Sequence, residues 1–313
     1  MGGYVTTELQ AINNLMGGLP VGTMCGLAGP AEAGKTILTI QFAFETIKAR
    51  GGNAFILDTE GSGQTYTDWV DNLNAKYGIS AEVVQVTINT KALKAGETLE
   101  LKPDKKVDNH AIYVLDERDL QTILKTVGRG ANFINSDTGK FSVKVNPEFW
   151  DDDVRETPIG KFIAKYNATY MAMDSITYPF LEFGNQQENF PARAQATAWL
   201  MGTLQQLANR FNLVQFGVMH HTVNEQDSFA RPKVKGGQSV HYSYKFIMYM
   251  NREQSTHTPP AWKKRPKTVR ELRMLRHTSR APWDRAVYMN LTHEGMTDIE
   301  PPSSGIGVAE AEA

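Results

Sequence analysis

Cysteine is almost absent from the chain: Cys25 stands alone among 313 residues. That excludes an internal disulfide framework and any cysteine-cluster metal site. Cys25 itself lies in an apolar run, where it reads as a small buried hydrophobe rather than a nucleophile. Long apolar stretches are lacking too. None approaches the roughly 20 residues that cross a bilayer, and the start, MGGYVTTELQ, has neither the basic nor the apolar region of a signal peptide. No membrane association and a cytoplasmic location are therefore expected. A net charge of one sign is also missing, at -1 overall, but the balance is uneven. Residues 228–285 hold 14 Lys and Arg against 3 Asp and Glu, leaving 19 against 31 in the remainder. An acidic body with one basic segment fits a protein that offers a single face to a polyanion.

What is present is a hydrophobic content of 41%, enough for one large α/β domain or two small ones. The segments ELQAINNLM and GGLPVGT predict a lead-in helix and a turn, and MCGLAG a buried strand. Ile37, Ile40, Phe44 and Ile47 recur at spacings of three and four, which makes one helical face between Lys35 and the stop at Gly51-Gly52. NAFILDTEG, AEVVQVT, TYMAMDSIT and LVQFGVMHH read as further apolar strands, separated by helices at TDWVDNLNAKYG, Pro158 to Tyr166 and Pro191 to Phe211. The alternation predicts an α/β fold with a mostly parallel twisted sheet covered on both faces. From about 89 to 160 the rhythm loosens into an expected insertion, with TLELK and AIYVL pairing as a hairpin, a helix at ERDLQTILKTVG and a short strand at FSVKV. TVNEQDSFARPKVKGGQ reads as a mobile loop, SYKFIMYM as a strand, and RELRMLRH and RAVYMNLT as antiparallel edge strands. One domain over 1–300 and a disordered tail over 301–313 complete the expected organisation.

The chemistry concentrates at LAGPAEAGKTILTI. Its Gly29-x-x-x-x-Gly34-Lys35-Thr36 spacing fits a phosphate-binding P-loop, and an apolar strand before it with a helix after it supplies the required setting. Backbone N–H groups of Gly29, Ala31, Glu32, Ala33, Gly34, Lys35, Thr36 and Ile37 would converge on the phosphates of ATP. Lys35 would neutralise the β and γ phosphates, and the Thr36 hydroxyl would ligate Mg²⁺. Asp174, a carboxylate ending the apolar run YMAMD, would hold the magnesium through its water shell. Glu60 in DTEG would orient or activate the attacking water, with Asp58 as the alternative base and a plain helix cap as the competing role. His221, ending GVMHH, would sense the γ phosphate and pass its state to the loop that follows.

The P-loop, ILDTEG, YMAMDSIT, GVMHHTVN, KGGQSVHYSYK and RMLRHTSRAPWDRAVYMNLTHEGMTDI occur in this order. In them the chain resembles the RecA-like ATPases, and among these the archaeal RadA and RadB branch of strand-exchange recombinases and their paralogues. The likeness runs from about Thr7 to Ile299 and is poor from Asn89 to Tyr166. It implies a RecA-like P-loop NTPase core with antiparallel C-terminal edge strands, and DNA-stimulated hydrolysis of ATP. The residue matching Glu60 is the catalytic carboxylate. The one matching His221 contacts the γ phosphate and opens a DNA-binding loop, here about Thr222 to Lys235. Lys245 lies near a basic position that reaches a neighbouring subunit's nucleotide, so a homo-oligomer or a complex with a recombinase is implied.

The basic region from Arg231 to Arg285 then becomes the expected contact for single- or double-stranded DNA, with Arg231, Lys233, Lys235, Lys263, Lys264 and Arg265 as phosphate partners. Phe229, Tyr242, Tyr244 and Trp262 are the aromatic residues placed to stack on bases. The departures bear on what ATP is used for. No helix-hairpin-helix domain and no Phe-x-x-Ala polymerisation peptide precede the core, and His220-His221 replaces the Asn-Gln pair usual in RadA. These differences point to a paralogue assisting recombination or repair. A KaiC-like signalling ATPase, which shares GGLPVG ahead of the P-loop, is the alternative.

Overall fold

The computed structural model describes residues 3–89, 99–128, 131–135, 141–145, 153–183, 190–222, 233–234, 237–252, 266–278 and 286–299. In chain order the first half runs β1 (Tyr4–Val5), α1 (Gln10–Met16), β2 (Leu19–Pro20), β3 (Thr23–Ala28), α2 (Lys35–Arg50), β4 (Asn53–Asp58), α3 (Gly63–Tyr77), β5 (Ala81–Ile88), β6 (Leu101–Pro103), β7 (His110–Asp116), α4 (Leu120–Val127), β8 (Ala131–Asn135) and β9 (Phe141–Val145). It continues through α5 (Pro158–Lys165), β10 (Ala168–Asp174), α6 (Phe190–Phe211), β11 (Val214–Met219), β12 (His221–Thr222), β13 (Lys233–Val234), α7 (Gly237–Ser243), β14 (Phe246–Asn251), β15 (Val269–Arg276), β16 (Ala286–Thr292) and β17 (Gly295–Asp298).

Eleven of these strands make one sheet in the order β17-β16-β15-β14-β3-β11-β10-β4-β7-β5-β6. The run from β14 to β5 is parallel. β15, β16 and β17 close one edge in antiparallel fashion, and β6 closes the other. Successive side chains of a strand point to opposite faces, so each inner strand feeds two cores. Phe55 and Leu57 of β4 join Met171 and Met173 of β10 beneath α4, α5 and α6. Ala54 and Ile56 join Tyr170 and Ala172 beneath α1, α2 and α3. Cys25 is fully buried in that second core, where desolvation pushes its thiol up out of the reactive range.

Two local expectations change. Ala111–Leu115 does not fold back on Leu99–Lys102; β7 lies between β4 and β5, parallel to both, while β6 pairs with β5 instead. The run is apolar throughout and buried on both faces, as an inner strand requires. His110 to Val127 therefore supplies a core strand and its covering helix, within the stretch expected as an insertion. α2 is not the one-faced helix its spacing suggests: Leu38 to Ile47 is buried without interruption, while Ile37 is partly exposed. Gln41 and Glu45 are accommodated there because they pair. Gln41 Nε2 donates to Tyr77 Oη at 2.8 Å and to the Met296 carbonyl at 2.9 Å, and Tyr77 Oη donates to Glu45 Oε1 at 2.8 Å. This network ties α2 to α3 and to the edge strand β17. The expected loop after His221 is also framed by structure, since His221 and Thr222 pair with Val234 and Lys233 and α7 follows.

Candidate nucleotide site

β3 delivers its last residue, Ala28, to the loop Gly29–Gly34, and α2 starts at Lys35. Gly34 turns the chain with φ 98°, a left-handed conformation that a side chain resists. No side chain caps the helix, so the first-turn N–H groups face the loop, an arrangement suited to an anion. Gly29 answers a different need: a Cβ there would stand 2.2 Å from the Met250 carbonyl oxygen of β14. The loop is braced from the other side by Arg270 of β15, whose Nε donates to the Ala33 carbonyl at 2.6 Å. Arg252 Nη1 reaches Glu32 Oε2 at 2.8 Å.

Lys35 is 8% exposed, and its Nζ donates to the Pro30 carbonyl at 2.7 Å. Burial lowers its pKa, while Asp174 and Glu60 oppose that shift by attraction. The Thr36 hydroxyl donates to Asp174 Oδ2 at 2.6 Å. Asp174, 2% exposed at the end of β10, is pushed up to about 7 by burial; its bond to Thr36 lowers it, Glu60 and Asp58 raise it and Lys35 lowers it. Asp58 ends β4 beside Asp174, in register with it. Burial pushes it up to about 6 even though Oδ1 accepts the N–H groups of Glu60 and Gly61 at 3.0 and 2.9 Å. Those two bonds make Asp58 a brace for the turn that carries Glu60. The tips of β4 and β10 are also locked together: Thr59 Oγ1 donates to the Ser175 carbonyl at 2.8 Å and accepts the Ser175 N–H at 2.7 Å.

Glu60 is half-buried, and a histidine is its partner. His220 Nε2 lies 2.9 Å from Glu60 Oε1. This bond, ahead of a bond from the Ser175 side chain and the attraction of Lys35, holds the carboxyl below its usual range against the effect of burial. His221 sits instead beside Gly29, with its ring edge on Tyr249 at 5.4 Å. Burial lowers its pKa, a backbone hydrogen bond at Gly29 raises it, and Lys35 and His220 lower it further.

Lys35, Thr36, Glu60, Asp174 and His221 thus meet at the carboxyl ends of β3, β4, β10 and β11. Hard oxygens on Thr36 and Asp174, with a lysine and an uncapped helix start alongside, fit a magnesium-bound polyphosphate in donor chemistry and charge. No role in the site is expected from the sequence for His220, Thr59 or Arg118. Arg118 follows β7 and packs so closely on Gly61 that a Cβ there would meet its Nη2 at 1.7 Å. Only the doubled histidine of GVMHH signals any of the three.

The basic segment divides on folding. Arg270 and Arg273 are buried, the first on the P-loop and the second on Glu271 at 2.6 Å, so they are part of the core and not of a surface. Lys245 is exposed ahead of β14. Tyr242 is 65% exposed under the Arg276 guanidinium, whereas Tyr244 is fully buried and unable to stack on a base. The backbone of Lys233 lies in β13; Arg231, Lys235, Lys263, Lys264, Arg265, Phe229 and Trp262 fall outside the described residues. No helix among the described residues is long and apolar enough to cross a membrane.

No protein-family model matches the chain, and no curated protein matches it by sequence. Among solved structures it is similar to the crystal structure of the RadB recombinase, with a TM-score of 0.53 and 16% identity, over 95% of this chain and 100% of that one. At that identity the likeness is one of fold. Together with the strand order and the loop between β3 and α2, it gives this chain the RecA-like α/β fold with a mostly parallel central sheet.

Proposed function

We propose that the protein binds ATP with Mg²⁺ at the tips of β3, β4, β10 and β11, hydrolyses it, and couples hydrolysis to DNA in recombination or repair. The observation that carries the reading is the meeting of Lys35, Thr36 and Asp174 at an uncapped helix start, with Glu60 on the adjoining turn. Backbone N–H groups of the loop and the Lys35 ammonium bind and orient the phosphates. Thr36 and Asp174 are the residues that would hold magnesium, which would supply positive charge against the phosphate oxygens. Glu60, kept ionised, accepts a hydrogen bond from water and aims its lone pair, since phosphoryl transfer depends mainly on position and charge. His221, beside Gly29 and itself the first residue of the short strand β12, would link phosphate occupancy to the loop that follows.

DNA is assigned to the remainder of the basic segment, including Arg231, Lys233, Lys235, Lys263, Lys264 and Arg265. The RecA-like fold supports a recombinase-type role, and oligomerisation, with Lys245 reaching a neighbour's nucleotide, belongs to the same reading. ATP turnover measured with and without single-stranded DNA, beside filter retention of labelled DNA at low salt, tests it. Stimulated turnover and retained DNA are expected. Turnover indifferent to DNA, with no retention of single- or double-stranded DNA, removes the DNA role.

A further inference from the structure

We infer that His220 is a positioning residue for hydrolysis, which holds the Glu60 carboxylate in its water-directing orientation. This rests on the ATPase reading of Glu60 above. His220 directly follows β11, whose last residue Met219 pairs with Ala28 at the mouth of the P-loop. Its backbone is therefore fixed to the same strand tips that carry the phosphate loop. Its Nε2 stands 2.9 Å from Glu60 Oε1, and both side chains are partly shielded, at 28% and 29% exposure. An ionised carboxylate only accepts hydrogen bonds, so the Nε2 atom carries the proton and donates.

The backbone of Glu60 needs no such help. Asp58 accepts its N–H, and Thr59 is joined to Ser175 on the neighbouring strand. The side chain, a glutamate with three rotatable bonds reaching from a turn, is what must be oriented, by His220 together with the Ser175 side chain. Ordering such a chain costs conformational entropy. A histidine bound to one oxygen removes that freedom before water arrives, which is the usual work of a group supporting a catalytic residue. The neighbouring His221 has a separate place, against Gly29 and Tyr249, so the pair divides into one residue on the carboxylate and one on the phosphate loop.

The test is a double-mutant cycle on the full chain in which kcat and KM for ATP are measured for wild type, His220→Ala, His220→Gln, Glu60→Gln and the Glu60→Gln/His220→Ala pair. His220→Ala is expected to lower kcat about tenfold, in line with releasing one ordered side chain, with KM changed less than twofold. His220→Gln, which restores an N–H donor, is expected to recover most of the loss. In the Glu60→Gln background, single-turnover hydrolysis is expected to show no further fall on removing His220. Equal losses in both backgrounds would mean that His220 acts independently of Glu60 and overturn the proposal, as would an unchanged kcat in His220→Ala. Full turnover by Glu60→Gln with His220 intact would instead remove Glu60 from the mechanism, and the proposal with it. Fluorescent ATP binding and thermal melts on each variant identify a folding defect, and the glutamine variant then carries the comparison.

Discussion

The Thr36 hydroxyl donates to Asp174 Oδ2 at 2.6 Å, across a sequence separation of 138 residues. That bond joins the first helical turn after the P-loop to the tip of β10, and it places the only hydroxyl of the motif against a carboxylate that is otherwise expensive to bury.

The cost has a pH signature. Asp174 has a folded value of about 7, against about 3.9 in an unfolded chain. The folded state therefore holds the proton more tightly, and stability present at low pH is lost as pH rises from about 4 towards 7 and the charge must be buried. Asp174→Asn, which carries no charge, should gain stability over the wild type between pH 5 and pH 8, by on the order of 2 kcal/mol. It should also lose magnesium-dependent hydrolysis. Urea melts of both proteins at the two pH values check this; a stability difference that does not vary with pH contradicts it.

Gly29→Ala should damage both fold and site. Its Cβ would stand 2.2 Å from the Met250 carbonyl oxygen, and backbone cannot swing aside as a side chain can. A loss of about 1–3 kcal/mol in stability is expected from the overpacking, with weaker ATP binding because β14 and the loop must separate. Thermal melts and nucleotide titration measure the two effects.

Arg270→Leu should act through the P-loop and not through DNA. The guanidinium donates to the carbonyls of Ala33 at 2.6 Å and Lys267 at 2.7 Å. Leaving a buried acceptor unpaired costs about 1–3 kcal/mol. Melting temperature and ATP affinity are expected to fall. The salt dependence of DNA binding should stay as in the wild type, and a flatter salt slope would contradict the structural role.

The triple variant Lys263→Ala, Lys264→Ala, Arg265→Ala should show the opposite pattern, with stability and DNA-free hydrolysis retained and DNA affinity reduced. Each lost contact to single-stranded DNA is expected to flatten the slope of log K against log salt by about 0.7. Titrations at several salt concentrations read this directly.

The strand-to-helix passage at the P-loop and the carboxylate-tipped strand at Asp174 were legible because they are local: an apolar run, a glycine-edged turn, a helical period. The place of β7 was not, since adjacency in a parallel sheet is set by crossover connections that leave no mark on the strand itself. TLELK and AIYVL are close in sequence and looked like a hairpin, yet β7 slots between β4 and β5. α2 misled for a related reason: its spacing reports one apolar face, while β17 arrives from the far end of the chain to bury another. In the site, the partner of Glu60 depends on which of two adjacent histidine side chains faces it. Adjacent residues at a strand end point to opposite sides, and sequence alone does not say which side holds the carboxylate. Basic composition likewise did not separate Arg270 and Arg273, which stabilise the interior, from the cations available to a polyanion.

The central claim is that the tips of β3, β4, β10 and β11 form an ATP-hydrolysing site. Its most direct test is steady-state phosphate release with ATP and Mg²⁺ by the wild type, Lys35→Ala and Glu60→Gln, beside fluorescent ATP binding by the same three proteins. The account predicts steady-state turnover by the wild type alone, ATP affinity reduced by about 10- to 100-fold in Lys35→Ala through loss of a charge-assisted hydrogen bond, and binding with only residual, single-turnover hydrolysis in Glu60→Gln. No phosphate release by the wild type, or release by Glu60→Gln at the wild-type rate, would contradict it.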